Sequence, residues 1–224
     1  MNSTTSFRNT LAACLLLAAG AAHSQEKKDP PDSAAGEVKT VMLAKFALKV
    51  PSAWPAFSSA DTIALRSQFL VQSKQIYQQY SGSADDPAKS VDVAAFHLEP
   101  DDGVLIAVAL SIPPQADLIN TLRREAGQKA EWGVQQGYIR QYLGLVAVDD
   151  GELSGFYIKS IGKGGGVEVS GGLEHKKLKN TLIQLTLIAP KSWDMEKAVS
   201  TLKPLLKSIR LPGEASEKTP AKQP

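Results

Sequence analysis

Residues 139–189, IRQYLGLVAVDDGELSGFYIKSIGKGGGVEVSGGLEHKKLKNTLIQLTLIA, contain four runs rich in β-branched and aromatic residues. Such composition favours β-strands, and the sequences between the runs are short and rich in Asp, Gly, Asn and Lys. Connections this short can join only antiparallel neighbours, so the segment predicts a four-stranded antiparallel meander. The predicted strands are Ile139–Val148, Glu152–Ile161, Val167–Glu174 and Thr181–Ala189.

The last of these runs alternates between apolar and polar side chains. Ile183, Leu185 and Leu187 point to one face of the sheet, whereas Gln184 and Thr186 point to the other. This alternation predicts a sheet with one covered face and one face at least partly exposed to water.

The residues before and after the meander add strands and helices. Lys39–Val50 is predicted as one strand that Pro51 ends, with its apolar residues Phe46, Leu48 and Val50 on one face. Apolar residues at three- and four-residue steps predict helices, and the last helix is capped by Asp194. The helices are predicted near Ser58–Tyr80, Asp117–Glu131 and Asp194–Leu211, and two further strands at Val91–Leu98 and Val104–Ile112. The expected fold is α+β, an antiparallel sheet with a C-terminal meander, packed by about three helices.

The N-terminus has the pattern of a secretory signal. Arg8 precedes the apolar run Leu11–Ala22, which is about a dozen residues long and too short to span a bilayer as a helix. Small residues before and at Ser24 predict cleavage after that position, which removes the only cysteine, Cys14. We expect a periplasmic or secreted protein that lacks a membrane span once the signal is removed.

The rest of the chain is predicted to consist of one domain between two disordered segments. Residues 25–37 and 212–224 are polar and contain several prolines, so they cannot offset their ordering entropy by burial. They are predicted to be a disordered leader and a disordered tail, and residues 38–211 form one domain. About 200 residues remain after signal removal, enough to bury a sizeable core without a disulfide.

Composition excludes several classes of function. The 224 residues carry 25 basic and 23 acidic side chains, a net charge of +2 that does not indicate a nucleic-acid-binding protein. A single cysteine excludes a disulfide framework and a cysteine-rich zinc site. We expect no cofactor. A protein of the bacterial envelope is the expected partner, and the oligomeric state stays open.

Residues typical of catalysis are present, but not in catalytic patterns. His97 and His175 have no second histidine or acidic cluster at ligand spacing, and no Gly-x-Ser-x-Gly motif occurs. Strand alternation puts Ser170 and His175 on opposite faces. Adjacent aspartates such as Asp149 and Asp150 lie in predicted turns, and Gly162–Gly166 joins two strands, unlike a phosphate-binding loop. We therefore assign no catalytic or metal-binding residue and expect a protein that is not an enzyme.

The meander carries more basic than acidic side chains. Between residues 159 and 179, five lysines are opposed only by Glu168 and Glu174, a local charge of +3. This excess could meet an acidic partner, although lysines are also common on the solvated face of a strand. The candidate partner-binding residues are Lys159, Lys163, Lys176, Lys177 and Lys179.

Two stretches resemble a known superfamily. Phe46–Trp54 has the pattern F-x-L-x-V-P-x-x-W, and the chain's last predicted helix ends Leu-Leu-Lys-Ser-Ile-Arg-Leu at Leu211. With the meander between them, these stretches resemble the PsbP-like superfamily, which includes bacterial envelope proteins of the DcrB kind. The resemblance implies an α/β/α sandwich used largely as a non-catalytic binding or assembly module.

Three functions remain open from the sequence. The first is an exported, non-catalytic binding or assembly module of the bacterial envelope. The second is a carrier of a small ligand or lipid, with a cavity between the sheet and the helices. The third is a hydrolase with an unfamiliar site, which would place His97 or His175 in a cleft beside a serine or a carboxylate.

Overall fold

The structure is a computed structural model that describes residues 37–81, 91–98, 103–114, 117–189 and 192–213. The predicted signal, residues 1–24, lies outside these ranges. So do all but the last residue of the predicted leader (25–37) and all but the first two residues of the predicted tail (212–224). The expectations for these segments therefore stay predictions from the sequence.

The described residues form eight strands and three helices, numbered in chain order. The N-terminal half contains β1 (Val38–Met42), β2 (Ala47–Pro51), α1 (Ser59–Tyr80), β3 (Asp92–Leu98) and β4 (Gly103–Ser111). The C-terminal half contains α2 (Leu118–Gln135), β5 (Ile139–Asp149), β6 (Leu153–Gly162), β7 (Val167–His175), β8 (Thr181–Ile188) and α3 (Met195–Lys207). The helices therefore fall where the spacing of apolar residues predicts them.

Six strands form one antiparallel sheet in the order β3-β4-β8-β7-β6-β5. The predicted meander is confirmed, since each of β5 to β8 pairs with the next along the chain. The hairpin β3–β4 joins this meander through β4, which pairs with β8. Strands β1 and β2 form a separate two-stranded sheet. The expected α+β fold class is confirmed.

One face of the large sheet packs against α3 and the β1–β2 hairpin. Ile183, Leu185 and Leu187 of β8 are fully buried on this face, in one cluster with Leu202 and Leu205 of α3. The hairpin is tied to the end of this layer, because Ala47 and Arg210 exchange two backbone hydrogen bonds. The C-terminal helix thus holds the N-terminal hairpin in place.

The opposite face packs against α1 and α2. Phe69 and Ile76 of α1 contact Ile106 and Val108 of β4, and further along the sheet α2 covers β5 and β6 through Ala130. Helices therefore lie on both faces of the large sheet. Gln184 and Thr186 lie on the face beneath α1 and α2 and are half-buried, so the helices cover this face only in part, in line with the expected partial exposure.

The first predicted strand is in fact a hairpin. The chain reverses at Leu43–Phe46, where the Leu43 amide donates to the Phe46 carbonyl at 2.8 Å. The Ala44 amide donates to the Asp92 carboxylate, which anchors the turn to β3. The prediction of a single strand is therefore wrong. The turn was not predicted because it contains no glycine, proline or asparagine. The face that carries Phe46, Leu48 and Val50 is buried as expected.

Both ends of the last helix follow from local chemistry. Asp194 caps α3, as predicted, and accepts from the Lys197 amide at 2.7 Å. Pro204 lies inside the helix, where a kink or a break was expected. The helix is not broken at Pro204 and runs three residues further, to Lys207. Proline so close to the C-terminus removes one backbone hydrogen bond.

The two outer strands of the large sheet differ at their free edges: a neighbouring segment covers part of β3, whereas β5 is irregular. Along β3, the segment Pro55–Phe57 supplies two backbone hydrogen bonds, from the Phe57 amide to Ala95 and from the His97 amide to Pro55. Along β5, the register against β6 shifts twice, between Ile139 and Gln141 and between Tyr142 and Gly144. Gly144 has a φ of 105°, which other residues rarely adopt.

Candidate functional site

A row of polar side chains runs along the helix-covered face of β7 and β8. Ser170 and Thr186 are paired across the two strands, and their hydroxyl oxygens lie 2.9 Å apart. Gln184 and Glu168 lie two residues away on their respective strands and therefore on the same face. Polar groups between a sheet and its covering helices are unusual and need partners. This polar row makes the space beneath α1 and α2 the candidate site.

A cavity lies where α1, α2 and this row meet. Its volume is about 60 Å³, and about 680 Å³ when the space open to solvent is included. The apolar side chains of its wall come from α1, α2, β6 and β8, among them Ile76, Leu122, Ala126, Phe156, Ile158 and Leu182. The polar side chains of the wall are Gln72, Gln75, Glu125, Lys129, Ser170 and Gln184.

Glu125 organises the polar side of the cavity. Its Oε1 accepts from the Tyr80 hydroxyl at 2.5 Å and from Gln79 Nε2 at 3.3 Å. Its Oε2 lies 3.5 Å from Lys129 Nζ, one helical turn away. Both Glu125 and Lys129 are about one quarter exposed, so this ion pair stands between the cavity and solvent.

Burial shifts the pKa of the two titratable side chains that contact Glu125, which are Tyr80 and Lys129. Desolvation raises the pKa of the Tyr80 hydroxyl, and the hydrogen bond to Glu125 raises it further. Desolvation also lowers the pKa of the Lys129 ammonium, an effect that the carboxylate of Glu125 partly opposes. Tyr80 therefore remains a hydrogen-bond donor, and Glu125 favours the charged form of Lys129.

Two buried oxygen atoms around the cavity accept no hydrogen bond from the described residues. They are Gln75 Oε1 in α1 and Gln184 Oε1 in β8. A third buried oxygen, Glu125 Oε2 in α2, belongs to the ion pair with Lys129. A buried acceptor without a donor costs about 1–3 kcal/mol, so a donor inside the cavity would stabilise this arrangement.

Glu168 is the most strongly perturbed acid in the described part of the chain. It is 7 % exposed, and burial raises the pKa of its carboxyl to about 8. On the neighbouring strand it faces Ser160, whose buried hydroxyl also has no hydrogen-bond partner among the described residues. Glu168 is therefore buried and does not lie on a solvated face with the lysines. The prediction that its negative charge offsets theirs on one surface is corrected.

The five candidate lysines fall into separate groups. Lys163 is exposed in the turn between β6 and β7, whereas Lys176, Lys177 and Lys179 lie in the turn between β7 and β8. The nine residues of β7 separate these turns by roughly 27 Å at about 3.3 Å per residue. Lys159 is half-buried in a shallow groove beside Met195 of α3. The structure does not bring the five together, and their role in partner binding stays a prediction.

The two histidines lie on different strands. His97 is exposed on β3 and stacks on Phe57, with ring centroids 4.3 Å apart. His175 ends β7 and is 2 % exposed, with its Nε2 3.9 Å from a Glu152 oxygen. Neither lines the cavity beneath α1 and α2. Within the described ranges, no group of three or more His, Cys, Asp or Glu side chains could hold a metal ion.

The sequence pattern that points to this cavity is the alternation of polar and apolar residues in β8, which on its own predicts solvent exposure. Gln184 and Thr186 alternate with buried leucines, a pattern that predicts solvent exposure when the covering helices are unknown. Gln75 and Glu125 are ordinary polar residues on amphipathic helices. Only the placement of α1 and α2 over the same face of the sheet brings them to the same cavity.

None of the helices in the described ranges is both long and apolar enough to cross a membrane. No family model matches this chain, and no curated protein sequence matches it.

Several solved structures are similar. Cyanobacterial PsbP (CyanoP) from Synechocystis sp. PCC 6803 has a TM-score of 0.45 and 10 % identity, covering 82 % of this chain and 98 % of that chain. A point mutant of the protein Mog1 has a TM-score of 0.41 and 12 % identity, covering 78 % and 96 %. The Saccharomyces cerevisiae Ran-binding protein Mog1p has a TM-score of 0.41 and 11 % identity, covering 79 % and 96 %. A cyanobacterial PsbP is thus among the solved structures to which this chain is similar.

Proposed function

We propose that this protein is an exported, non-catalytic binding module that holds a small molecule between its sheet and the helices α1 and α2. The observation that carries the proposal is a cavity lined by two buried acceptor oxygens without a donor among the described residues, from Gln75 and Gln184, beside the Glu125–Lys129 ion pair. A closed and fully packed interface would contain no such cavity. The small-ligand carrier considered from the sequence is thus the form of binding module that this geometry favours.

The arrangement of potential catalytic groups supports binding rather than chemistry. A hydrolase of the serine or cysteine type needs a nucleophile, a base and an orienting group in mutual contact. His175 lies beside Glu152, and its Nδ1 accepts from the Lys177 amide at 3.2 Å, so its contacts hold the turn between β7 and β8. The hydroxyl of Ser170 is paired with Thr186 on the other face of the sheet.

Ligand binding can be tested by amide NMR with a library of small fragments. Binding in the cavity should shift the amide signals of Gly171 and Gly172, which line it. Ala126→Leu fills the cavity and should abolish those shifts. Gln128→Leu adds the same side chain to the exposed face of α2 and should leave them unchanged. Shifts that persist in Ala126→Leu, or a library without any binder, would contradict a ligand site here.

Export needs an independent test, because the signal rests on the sequence of residues 1–24. Expressed in a bacterium, the protein should appear in the periplasm, and its mature form should begin at Gln25. Leu16→Arg interrupts the apolar run and should trap an uncleaved precursor inside the cell. Cytoplasmic location of the unaltered chain would exclude an envelope role.

A protein partner at the turn between β7 and β8 is a second candidate function. Lys176 and Lys179 are exposed there, next to the Lys177–Glu152 ion pair, in which Nζ and Oε1 lie 3.8 Å apart. An acidic envelope protein would fit this surface. Reversing Lys176 and Lys179 to Glu should abolish its capture, whereas Lys163→Glu at the opposite end of β7 should not. Equal capture by both variants would exclude this turn as the contact.

A further inference from the structure

Strand β1 has one edge without a strand partner among the described residues. Its other edge pairs with β2 from Val38 to Met42. We infer that the free edge joins two copies of this protein, by antiparallel pairing of β1 with β1 of a second copy. The inference is independent of the ligand site proposed above, because β1 contributes no residue to the wall of that cavity.

The backbone groups of every second residue of β1 point to the free edge. The Ser52 amide donates to the Glu37 carbonyl at 2.7 Å, and the Leu43 amide donates to the Phe46 carbonyl at 2.8 Å. The odd-numbered residues therefore bond towards β2, since bonded and unbonded pairs alternate in an antiparallel ladder. The residues whose N–H and C=O groups point away from β2 are Val38, Thr40 and Met42.

The side chains of the same three residues are exposed and largely apolar. Val38 is 55 % exposed and Met42 is 54 % exposed, and Thr40 between them is also exposed. Proteins usually protect an edge strand with a charge, a proline or a covering segment. The only charged residue of β1, Lys39, does not do so, because its Nζ donates to the Trp54 carbonyl at 2.6 Å on the other face of the hairpin.

The free edge of β1 is complementary to itself. In an antiparallel pair with a two-fold axis at Thr40, that residue stands opposite its own copy, and Val38 stands opposite Met42. Threonine–threonine and apolar pairs stabilise antiparallel strands. These residues also carry the free backbone groups, so each N–H meets a C=O of the second copy. Lys39 stands opposite Val41, so like charges do not face each other.

The pairing closes at two copies. The far edge of β2 is occupied, since Ala47 and Arg210 exchange two backbone hydrogen bonds and the Lys49 amide donates to the Ser208 hydroxyl at 2.9 Å. A two-fold dimer therefore uses the free edge of each copy and ends there. The five residues of β1 are few compared with the roughly 20–30 residues a side of a stable interface, so the dimer should be weak and concentration-dependent.

The alternation along β1 gives a specific test by amide hydrogen exchange. When the purified protein is concentrated from about 10 µM to about 1 mM, the amides of Val38, Thr40 and Met42 should exchange about tenfold more slowly. The amides of Lys39 and Val41, already bonded to β2, should not change. Translational diffusion should slow to that of a dimer over the same range.

Two results of this experiment would overturn the inference. The first is unprotected exchange of the Thr40 amide at every concentration. The second is full protection of that amide in the dilute monomer, which would mean that another part of the chain already covers the edge.

Opposite charges at the two-fold axis distinguish this pairing from any other contact. Thr40→Lys and Thr40→Glu each place like charges opposite one another, so each protein alone should stay monomeric at about 1 mM. An equimolar mixture of the two should form dimers again. Gln78→Lys adds the same charge to an exposed position of α1 and should leave dimerisation unchanged. Dimers of both single variants would place the contact elsewhere and contradict the inference.

A proline at the same position removes a single edge donor. Thr40→Pro deletes an N–H that is not used towards β2 and should weaken the dimer at least tenfold. Continued protection of the Lys39 and Val41 amides would show that the hairpin is intact, and an unweakened dimer in that protein would refute the pairing. Ala126→Leu, which fills the ligand cavity, should not affect dimerisation, so either proposal can fail without the other.

Discussion

Replacing Glu168 with glutamine should remove most of a pH dependence that the buried carboxyl imposes on folding. Glu168 is 7 % exposed, and burial raises its pKa from 4.5 to about 8. Between these values the folded protein keeps a proton that the unfolded chain releases. Stability is therefore fully present below pH 4.5, falls as the pH rises towards 8, and is constant above it.

The size of the effect follows from the two pKa values. At 1.36 kcal/mol per pKa unit, the carboxyl lowers the free energy of unfolding by about 4 kcal/mol between pH 5 and pH 9. Glutamine has nearly the same shape and does not titrate. Glu168→Gln should thus match the unaltered protein within about 1 kcal/mol at pH 5 and exceed it by about 4 kcal/mol at pH 9.

Urea unfolding followed by circular dichroism at pH 5, 7 and 9 measures this difference directly. Burial also raises the pKa of Glu174, but that residue is present in both proteins, so its contribution cancels. Glu37→Gln, at an exposed position, controls for the loss of one negative charge. Parallel stability curves for the unaltered protein and Glu168→Gln would refute the reasoning and mean that Glu168 reaches solvent or a partner.

Three further predictions concern packing and capping. Gly171→Ala should cost about 1–3 kcal/mol in urea unfolding, because its Cβ would lie 2.6 Å from the Phe156 carbonyl oxygen. Gly172→Ala should cost less, since its Cβ would lie 3.3 Å from the movable end of Leu182; equal costs would contradict this geometry. Asp194→Ala should lose about 1 kcal/mol in thermal unfolding, through the bond to the Lys197 amide, while Asp194→Asn should lose little. Leu185→Ala, fully buried, should cost about 2–5 kcal/mol, and Ile63→Ala, 65 % exposed, under about 0.5 kcal/mol; similar values would place Ile63 in the core.

The parts of the fold that the sequence predicts are those held by local contacts. The turns Asp149–Gly151 and Gly162–Gly166 join neighbouring strands, so their pairing follows from chain connectivity. Asp194 caps a helix three residues before its hydrogen-bond partner. Such features need no knowledge of distant residues.

The parts it does not predict depend on distant contacts. The pairing of β4 with β8 joins Ser111 to Thr181 and sets the centre of the sheet, yet no local pattern indicates it. Ile63 fits the apolar spacing of α1 but is exposed, because only the second half of that helix contacts the sheet closely.

The candidate site shows the same limit. Its acceptors, Gln75, Glu125 and Gln184, are far apart in the chain and look like surface residues one at a time. They become a site because two helices cross the same part of the sheet and leave a space between them.

The covered edge at β3 and the irregular edge at β5 affect the tendency of the protein to aggregate in concentrated solution. An open edge strand is a template on which a second chain can add its own strand, the first step towards fibres. Here the backbone groups of β3 are partly occupied by Pro55–Phe57, and the two register shifts of β5 interrupt the straight ladder that an incoming strand would need. The sheet is therefore protected against edge-to-edge growth on both sides, by a covering segment at one edge and by irregular backbone at the other.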